Sequence, residues 1–402
     1  MNNNLQENIK NMLPFESAKH IIESIAIELK TEKVPLMGAL YRVLAEDVFS
    51  DTDMPPFNKS AMDGFACRSG DIGNPLKIIE AIPAGKLPEK TVGKNQCSRI
   101  MTGGVVPQGA DMVVRLENIN EISPGYIQCI RNPEASNICL AGEDLPKGGQ
   151  VLAKGVQLFA RHIAVLAAAG ITHPLVYSIP EIAVLSTGSE LTEPPAAPSG
   201  AKIRNSNAWQ LIAQAIELGY RPAYLGIIPD NEEKLKDRLN NALENYAVII
   251  VSGGVSVGDY DYVPKTLNLL GVKTVFHGIG AKPGRHILLG QKDSRFVFGL
   301  PGNPVSSFVQ FEMLVSPLLK RLKGLSYASD MRLCVLKNGY KRKKTSETVF
   351  IPGWLSGPNS VETINYNGSA HIHAYINANC IIEIPQGIAE IKPGDIVNVR
   401  PL

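Results

Sequence analysis

Charge is what this chain has little of. Only 19% of its 402 residues are Asp, Glu, Lys or Arg, against about 25% in an average globular chain. Forty basic side chains nearly cancel 38 acidic ones, leaving a net charge of +2. That balance excludes a sequence-wide electrostatic pull toward nucleic acid and the composition of a disordered chain. A long apolar run is missing too: the most apolar stretch, Ile163 to Ile171, is about half the ~20 residues that a bilayer core requires. No basic segment followed by an apolar one opens the chain, so no secretory leader is expected and the protein is read as cytoplasmic, bound to neither membrane nor nucleic acid. The six cysteines, Cys67, Cys97, Cys129, Cys139, Cys334 and Cys380, form no C-x-x-C pair. They sit mostly in apolar runs, as small buried hydrophobes do, and a disulfide framework is not expected in so long a chain.

Glycine and proline are abundant. Together they make up 64 of 402 residues, about 16% against about 12% on average, which points to many turns and short strands. The length predicts two to four domains. Ala18, Ile21, Ile22, Ile25 and Leu29 recur at helical spacing. Between Pro75 and Ile138 short apolar runs alternate with glycine and proline, as in a small β domain. Leu158 to Gly170 returns to a helical pattern, with Gly170 as its stop. From residue 181 the apolar runs 182–185, 224–228 and 247–251 alternate with amphipathic stretches around Leu211 and Leu239, the pattern of a doubly wound α/β domain. Phe296 to Phe298 and a helix from Val305 to Leu322 extend it. Beyond Met331 the period returns to two, as in a small β barrel or sandwich, with Lys392-Pro393-Gly394-Asp395 suited to a type II turn.

In open α/β sheets ligands lie beyond the carboxyl ends of the strands. There this sequence places Ser186-Thr187-Gly188-Ser189-Glu190, then Pro229-Asp230, then Ser252-Gly253-Gly254-Val255-Ser256-Val257-Gly258-Asp259-Tyr260-Asp261, and finally Gly299-Leu300-Pro301-Gly302-Asn303-Pro304. Glycines there let backbone N–H groups approach a phosphate. It is not a Walker loop, because no G-K-[ST] ends it, and G-x-G-x-x-G is absent after the first strand. Asp230 has two readings: with Glu233 it fits a capping box, and it also suits an acidic site. The segment from Asn58 to Ala66, containing Asp63, is either a turn or a ligand loop, and Ile100 to Gly104 and Gly142-Glu143-Asp144 are similar. Lys282 and Arg285 sit three residues apart across a turn, which suits an oxyanion clamp. Lys341 to Lys344 reads as a solvated hairpin tip. His371 and His373 would share a strand face, with no further ligand at zinc spacing.

Taken in order, Ser60-Ala61-Met62-Asp63-Gly64-Phe65-Ala66, Met101-Thr102-Gly103-Gly104, Ser186-Thr187-Gly188, Ser252-Gly253-Gly254-Val255-Ser256, Lys282-Pro283-Gly284 and Gly299-Leu300-Pro301-Gly302-Asn303-Pro304 resemble the molybdopterin molybdenumtransferase (MoeA) family, whose animal relatives include the gephyrin E domain. The resemblance runs from about Arg42 to Val399. It implies a multidomain α/β fold: a split N-terminal and central domain (1–53 and 143–179), an inserted β domain (54–142), a doubly wound molybdopterin-binding α/β domain (180–328) and a C-terminal β barrel (329–402). It also implies an elongated homodimer, with each cleft completed across the interface, and contact with molybdopterin adenylyltransferase and with molybdoenzymes.

The implied reaction inserts molybdate into adenylylated molybdopterin and releases AMP, with Mg²⁺ as helper held by carboxylates. The resemblance gives Asp63, Glu190 and Asp261 catalytic positions, with Glu190 and Asp261 on the metal. It gives substrate-binding positions to Thr102, Asp144, Ser186, Gly188, Asp230, Gly253, Gly254, Ser256, Gly258, Lys282, Arg285, Pro301, Gly302 and Ser369. Three places depart from the family pattern. Asn58 and Lys59 stand in its F-D-N-S motif, Ser189 stands for the acid of S-T-G-D-E, and Arg285-His286 replace the second K-P of K-P-G-K-P.

Overall fold

The computed structural model describes residues 12–256, 261–326, 331–366 and 368–402. The chain divides into two compact units: Lys33–Val176, and the residues up to Glu32 together with Tyr177–Leu402.

Helix α1, Phe15–Ser24, belongs to the second unit and buries Phe15, Ala18 and Ile22 in its core. The helix stops at Ser24, so Leu29, which shares its apolar spacing, lies beyond it.

The 33–176 unit holds two separate packing centres. Its six-stranded sheet comprises β1 (Gly64–Cys67), β2 (Leu76–Ile82), β3 (Gln96–Ile100), β4 (Met112–Arg115), β5 (Ile119–Ser123) and β6 (Tyr126–Cys129), in the order β4-β1-β3-β2-β6-β5. All neighbours run antiparallel except β2 and β3. Alternation puts Phe65 and Cys67 on one face and Ala66 on the other, each against its own apolar cluster. The second centre surrounds helix α2, Ala160–Ala168, whose Leu166 packs with Leu44, Leu158 and Val176. Gly170, at φ +75°, ends that turn as the sequence predicts.

In the 177–402 unit the apolar runs are strands: β7 (Ile182–Thr187) and β9 (Val248–Ser252), both buried, and the half-buried edge strand β8 (Ala223–Ile228). They alternate with α3 (Ser206–Glu217) and α4 (Glu232–Asn245). Next come β10 (Lys273–His277), β11 (Ile279–Lys282), β12 (Leu288–Lys292) and β13 (Arg295–Leu300). The sheet order is β8-β7-β9-β13-β12-β10, parallel from β8 to β13 and antiparallel beyond. Both faces are covered. Ile182, Val184, Val248 and Ile250 pack on the side of α3, and Leu185, Ile249 and Val251 on the side of α4. Such two-sided burial is why these strands read as continuous apolar runs. The predicted 305–322 helix is present from Pro304 to Leu322, but Phe311–Val315 widens into a π turn.

The C-terminal strands are β14 (Arg332–Leu336), β15 (Thr348–Gly357), β16 (Ser360–Thr363), β17 (Cys380–Ile384) and β18 (Ile396–Pro401). Their order is β15-β16-β14-β18-β17, and β17 pairs back to β15, closing a five-stranded barrel. Strand β11 lies outside the α/β sheet and pairs in parallel with β15, setting Ala281 opposite Thr348 and Lys282 opposite Val349. No described helix is long and apolar enough to cross a membrane.

Candidate active site

The carboxyl ends of β7, β8, β9 and β13 open onto a cavity of about 690 Å³. Gly188, Glu190, Asp230, Gly253, Gly254, Asp261 and Gly302 line it. The loop after β9 is built for close approach. Gly253 and Gly254 have φ of +91° and +65°, and a Cβ at either would come within 2.5–2.6 Å of Thr187, so only glycine fits.

Residues under and around the cavity hold it in shape. Ser186 is fully buried, and its hydroxyl donates to Asn205 Oδ1 at 3.0 Å. Asn205 in turn caps α3 and donates to the Tyr224 hydroxyl, which donates to Glu193 at 2.6 Å. Burial, then the Glu193 carboxylate, pushes the Tyr224 phenol well above its ordinary value, so it remains a donor. Asn207 Nδ2 donates both to Ser252 Oγ (3.0 Å) and to the Gly302 carbonyl (2.8 Å), joining the β9 and β13 ends. Ser256 is half-buried beyond the Gly253–Gly254 turn and does not line the cavity, and Gly258 lies outside the described residues.

The capping reading of Asp230 is corrected. Asn231 caps α4, its side chain accepting from the Lys234 N–H, while Asp230 reaches back toward β7. Asp230 Oδ2 accepts from the Ser189 N–H at 2.9 Å, and the Asp230 N–H donates to Ser189 Oγ at 3.0 Å. Ser189, one of the departures, thus closes a reciprocal pair, and Lys202 Nζ donates to its carbonyl.

A second cavity, of about 350 Å³, adjoins the first and shares Asn303 with it. Lys282, Arg285, Pro301 and Ser369 line it, together with His286 and Tyr366. The loop rests on the buried Gln310, whose Nε2 donates to the Pro283 carbonyl at 2.6 Å. Asn303 Nδ2 donates to Ser369 Oγ at 3.2 Å, tying the two rims together. The sequence places Lys282 and Arg285 here as cations facing a cleft; both also engage a carboxylate that the sequence reading missed. Glu347 is 4% exposed. Its Oε1 accepts from Arg285 Nε at 2.7 Å and lies 2.6 Å from Nη2, while Oε2 lies 3.3 Å from Lys282 Nζ. His286 has its pKa lowered, first by burial and then by Arg285, so it is neutral at pH 7.

Two further expectations change here. Residues Ile372–Tyr375 form a 3₁₀ turn, so His371 and His373 do not share a strand face. Lys341, Lys343 and Lys344 are exposed, but Arg342 is not a solvated tip: it donates to the carbonyls of Glu347, Pro385 and Ile388.

In the 33–176 unit Asp63 and Thr102 do meet. The antiparallel pairing of Gly64 with Ile100 brings them together, and Asp63 Oδ1 accepts from the Thr102 N–H (2.6 Å) and hydroxyl (2.7 Å). The backbone N–H, then the hydroxyl, hold the Asp63 carboxyl below its ordinary value. Asp144 is exposed on a separate turn, its N–H donating to the Met54 carbonyl. Asn58 Oδ1 accepts from the Ala141 N–H at 2.8 Å, so that departure preserves an acceptor. Lys59 pairs with Cys139 in a two-stranded ribbon.

Three family profiles match along the chain: the MoeA N-terminal region (domain I and II) at residues 13–170, a probable molybdopterin binding domain at 183–321, and the MoeA C-terminal region (domain IV) at 335–402. A molybdopterin molybdenumtransferase from Staphylococcus epidermidis is 34% identical over 394 residues, covering 96% of this chain and 94% of that protein. The chain belongs to the MoeA family of molybdopterin molybdenumtransferases, a transferase family of molybdenum-cofactor biosynthesis. A second relative of that name, from Staphylococcus aureus, is 32% identical and covers 97% of this chain and 96% of its own length. The crystal structure of a molybdopterin biosynthesis MoeA protein from Pyrococcus horikoshii superposes with a TM-score of 0.82 at 30% identity, covering 97% of this chain and 99% of that one.

Proposed function

We propose that this MoeA-family chain inserts molybdenum from molybdate into adenylylated molybdopterin and releases AMP. The observation that carries the reading is the adjacency of two unlike cavities that share Asn303. The larger one offers glycine backbone and carboxylates at the sheet edge, and also Arg204. That combination suits a phosphate-bearing pterin nucleotide. The smaller one offers Lys282, Arg285 and the Ser369 hydroxyl, donors that suit a tetrahedral oxyanion.

Among the described residues no three His, Cys, Asp or Glu side chains gather as a metal site. Mg²⁺ commonly takes only one or two carboxylates and completes its shell with water and substrate phosphate. Glu190 and Asp261, lining one cavity, match that demand. Bound there, Mg²⁺ would offset the charge of the pyrophosphate whose cleavage frees AMP. The Gly253 N–H is bonded to the Leu300 carbonyl, so the Gly253–Gly254 turn serves the phosphates by leaving side-chain-free backbone for them to lie against, and Asn207 keeps the β9 and β13 loops from parting. Lys282 and Arg285 orient the molybdate beside them.

Homodimerisation belongs to the same reading, and sedimentation at micromolar concentration tests it. The two-cavity reading is tested by equilibrium binding. Adenylylated molybdopterin and molybdate should each bind alone and should bind together. Mutual displacement would place them in one cavity and refute the assignment.

A further inference from the structure

We propose that Glu347 sets the charge of the oxyanion cavity: a built-in carboxylate that occupies part of the same cation pair the substrate oxyanion uses and so tunes which anions bind and how tightly. The inference rests on reading the smaller cavity as the molybdate site.

The geometry starts from the strand pairing. Strand β11 ends at Lys282, and its parallel partner β15 begins at Thr348, opposite Ala281. Glu347 immediately precedes Thr348 and is thereby delivered, buried, to the foot of the Lys282–Arg285 turn. Both cavity cations engage it, Arg285 through Nε and Nη2 on Oε1 and Lys282 on Oε2. The two cations differ in freedom. The Arg285 side chain is 19% exposed and the Lys282 side chain 48%. Arg285 is therefore fixed by the carboxylate, and Lys282 is the half that can swing toward a ligand.

Two other titratable groups lie near Glu347: Arg342, whose charge also acts on the Glu347 carboxylate, and His286. Arg342 donates to the Glu347 backbone carbonyl, is held by two further carbonyls, and does not line the cavity. His286 is neutral, for the reasons given above. The cluster of Lys282, Arg285 and Glu347 thus presents a net charge of one, where a tetrahedral dianion would be matched by two. A plain structural ion pair would explain the burial of Arg285. It would not require both cations lining one cavity to share a single carboxylate.

The consequence is a dependence on ligand charge. Removing the Glu347 charge acts twice as strongly on a dianion as on a monoanion at the same place. Molybdate and perrhenate supply the comparison, being tetrahedral oxyanions of nearly equal size with two charges and one. The full-length protein and its Glu347→Gln variant would be titrated with each anion by calorimetry at low and high salt. The expected result in Glu347→Gln is molybdate binding tightened about tenfold and perrhenate about threefold, with both gains shrinking in salt. Glu347→Asp keeps the charge and should keep the wild-type ratio of the two affinities.

If Glu347→Gln fails to fold, the comparison is made in an Arg285→Gln background, where adding Glu347→Gln removes the remaining buried charge and should raise the molybdate-to-perrhenate affinity ratio about threefold. Equal changes for the two anions, weaker molybdate binding by a folded Glu347→Gln protein, or an unchanged ratio when Glu347→Gln is added to Arg285→Gln would overturn the proposal while leaving the oxyanion site in place. Binding of neither anion by any of these proteins would refute the oxyanion reading itself, and the proposal with it.

Discussion

Gly284→Ala is the sharpest perturbation of the loop that carries the cations. Gly284 has φ +100°, where an L side chain costs about 1–3 kcal/mol of backbone strain. A Cβ there would also lie 2.3 Å from Gln310 Cγ and 2.9 Å from its Cδ and Nε2. Gln310 is fully buried and cannot stay where it is. Moving it breaks the 2.6 Å bond to the Pro283 carbonyl and leaves buried polar groups unpaired, worth about 1–3 kcal/mol more. The sum, roughly 2–6 kcal/mol, is a large part of an ordinary domain's stability. Both tryptophans, Trp209 and Trp354, lie in the 177–402 unit, so tryptophan fluorescence during urea unfolding follows the unit concerned. In a Gln310→Ala background the steric part disappears, and Gly284→Ala should then cost only the backbone share. A loss below about 0.5 kcal/mol in the single variant, at the level of an ordinary surface substitution, would refute the reasoning. So would an undiminished loss in the Gln310→Ala background.

Replacing Lys282 and Arg285 together by Met should weaken molybdate binding at least tenfold and also destabilise the protein by about 3–5 kcal/mol, because Glu347 is left buried and unpaired; adding Glu347→Gln should restore the midpoint of unfolding but not molybdate binding. Glu383, 4% exposed on β17, has its pKa pushed up to about 7, first by burial and then by the Glu16 carboxylate. The folded state therefore holds a proton there that the unfolded chain has lost, and stability falls as pH rises from the ordinary carboxylate range through about 7. Glu383→Gln should raise Tm by roughly 2 °C or more at pH 8 and by clearly less at pH 5, as differential scanning calorimetry would show. Asp63→Asn keeps an acceptor for the Thr102 N–H and should leave the fold intact while abolishing AMP release. Near wild-type release would mean that Asp63 only staples the loop after β3.

The parts of the fold legible in the sequence are those whose signal is local. Strands β7 and β9 are unbroken apolar runs because helices cover both faces of their sheet, and Gly170 marks a helix end because it stands at positive φ. The π turn at Phe311–Val315 was not legible, since its residues are as apolar as the helix on either side. The cap of α4 went to Asn231 rather than Asp230 because Asp230 has a better partner, Ser189, which is 41 residues away. Of the site, the glycines and acids at the sheet edge were found from strand position alone. Asn205 and Asn207 were missed, although the run Arg204-Asn205-Ser206-Asn207 before an amphipathic helix was a usable signal. Glu347 had none: it stands 62 residues beyond Arg285, and only the pairing of β11 with β15 brings the two together.

The central claim is tested most directly by counting products. The purified protein would be incubated with adenylylated molybdopterin, Mg²⁺ and molybdate, and AMP released and molybdenum bound to the pterin would be measured in the same samples. The account predicts AMP and molybdenum-loaded pterin in equal amounts, both requiring molybdate and both lost when Lys282 and Arg285 are replaced. AMP release that is indifferent to molybdate, or pterin that leaves without metal, would contradict it.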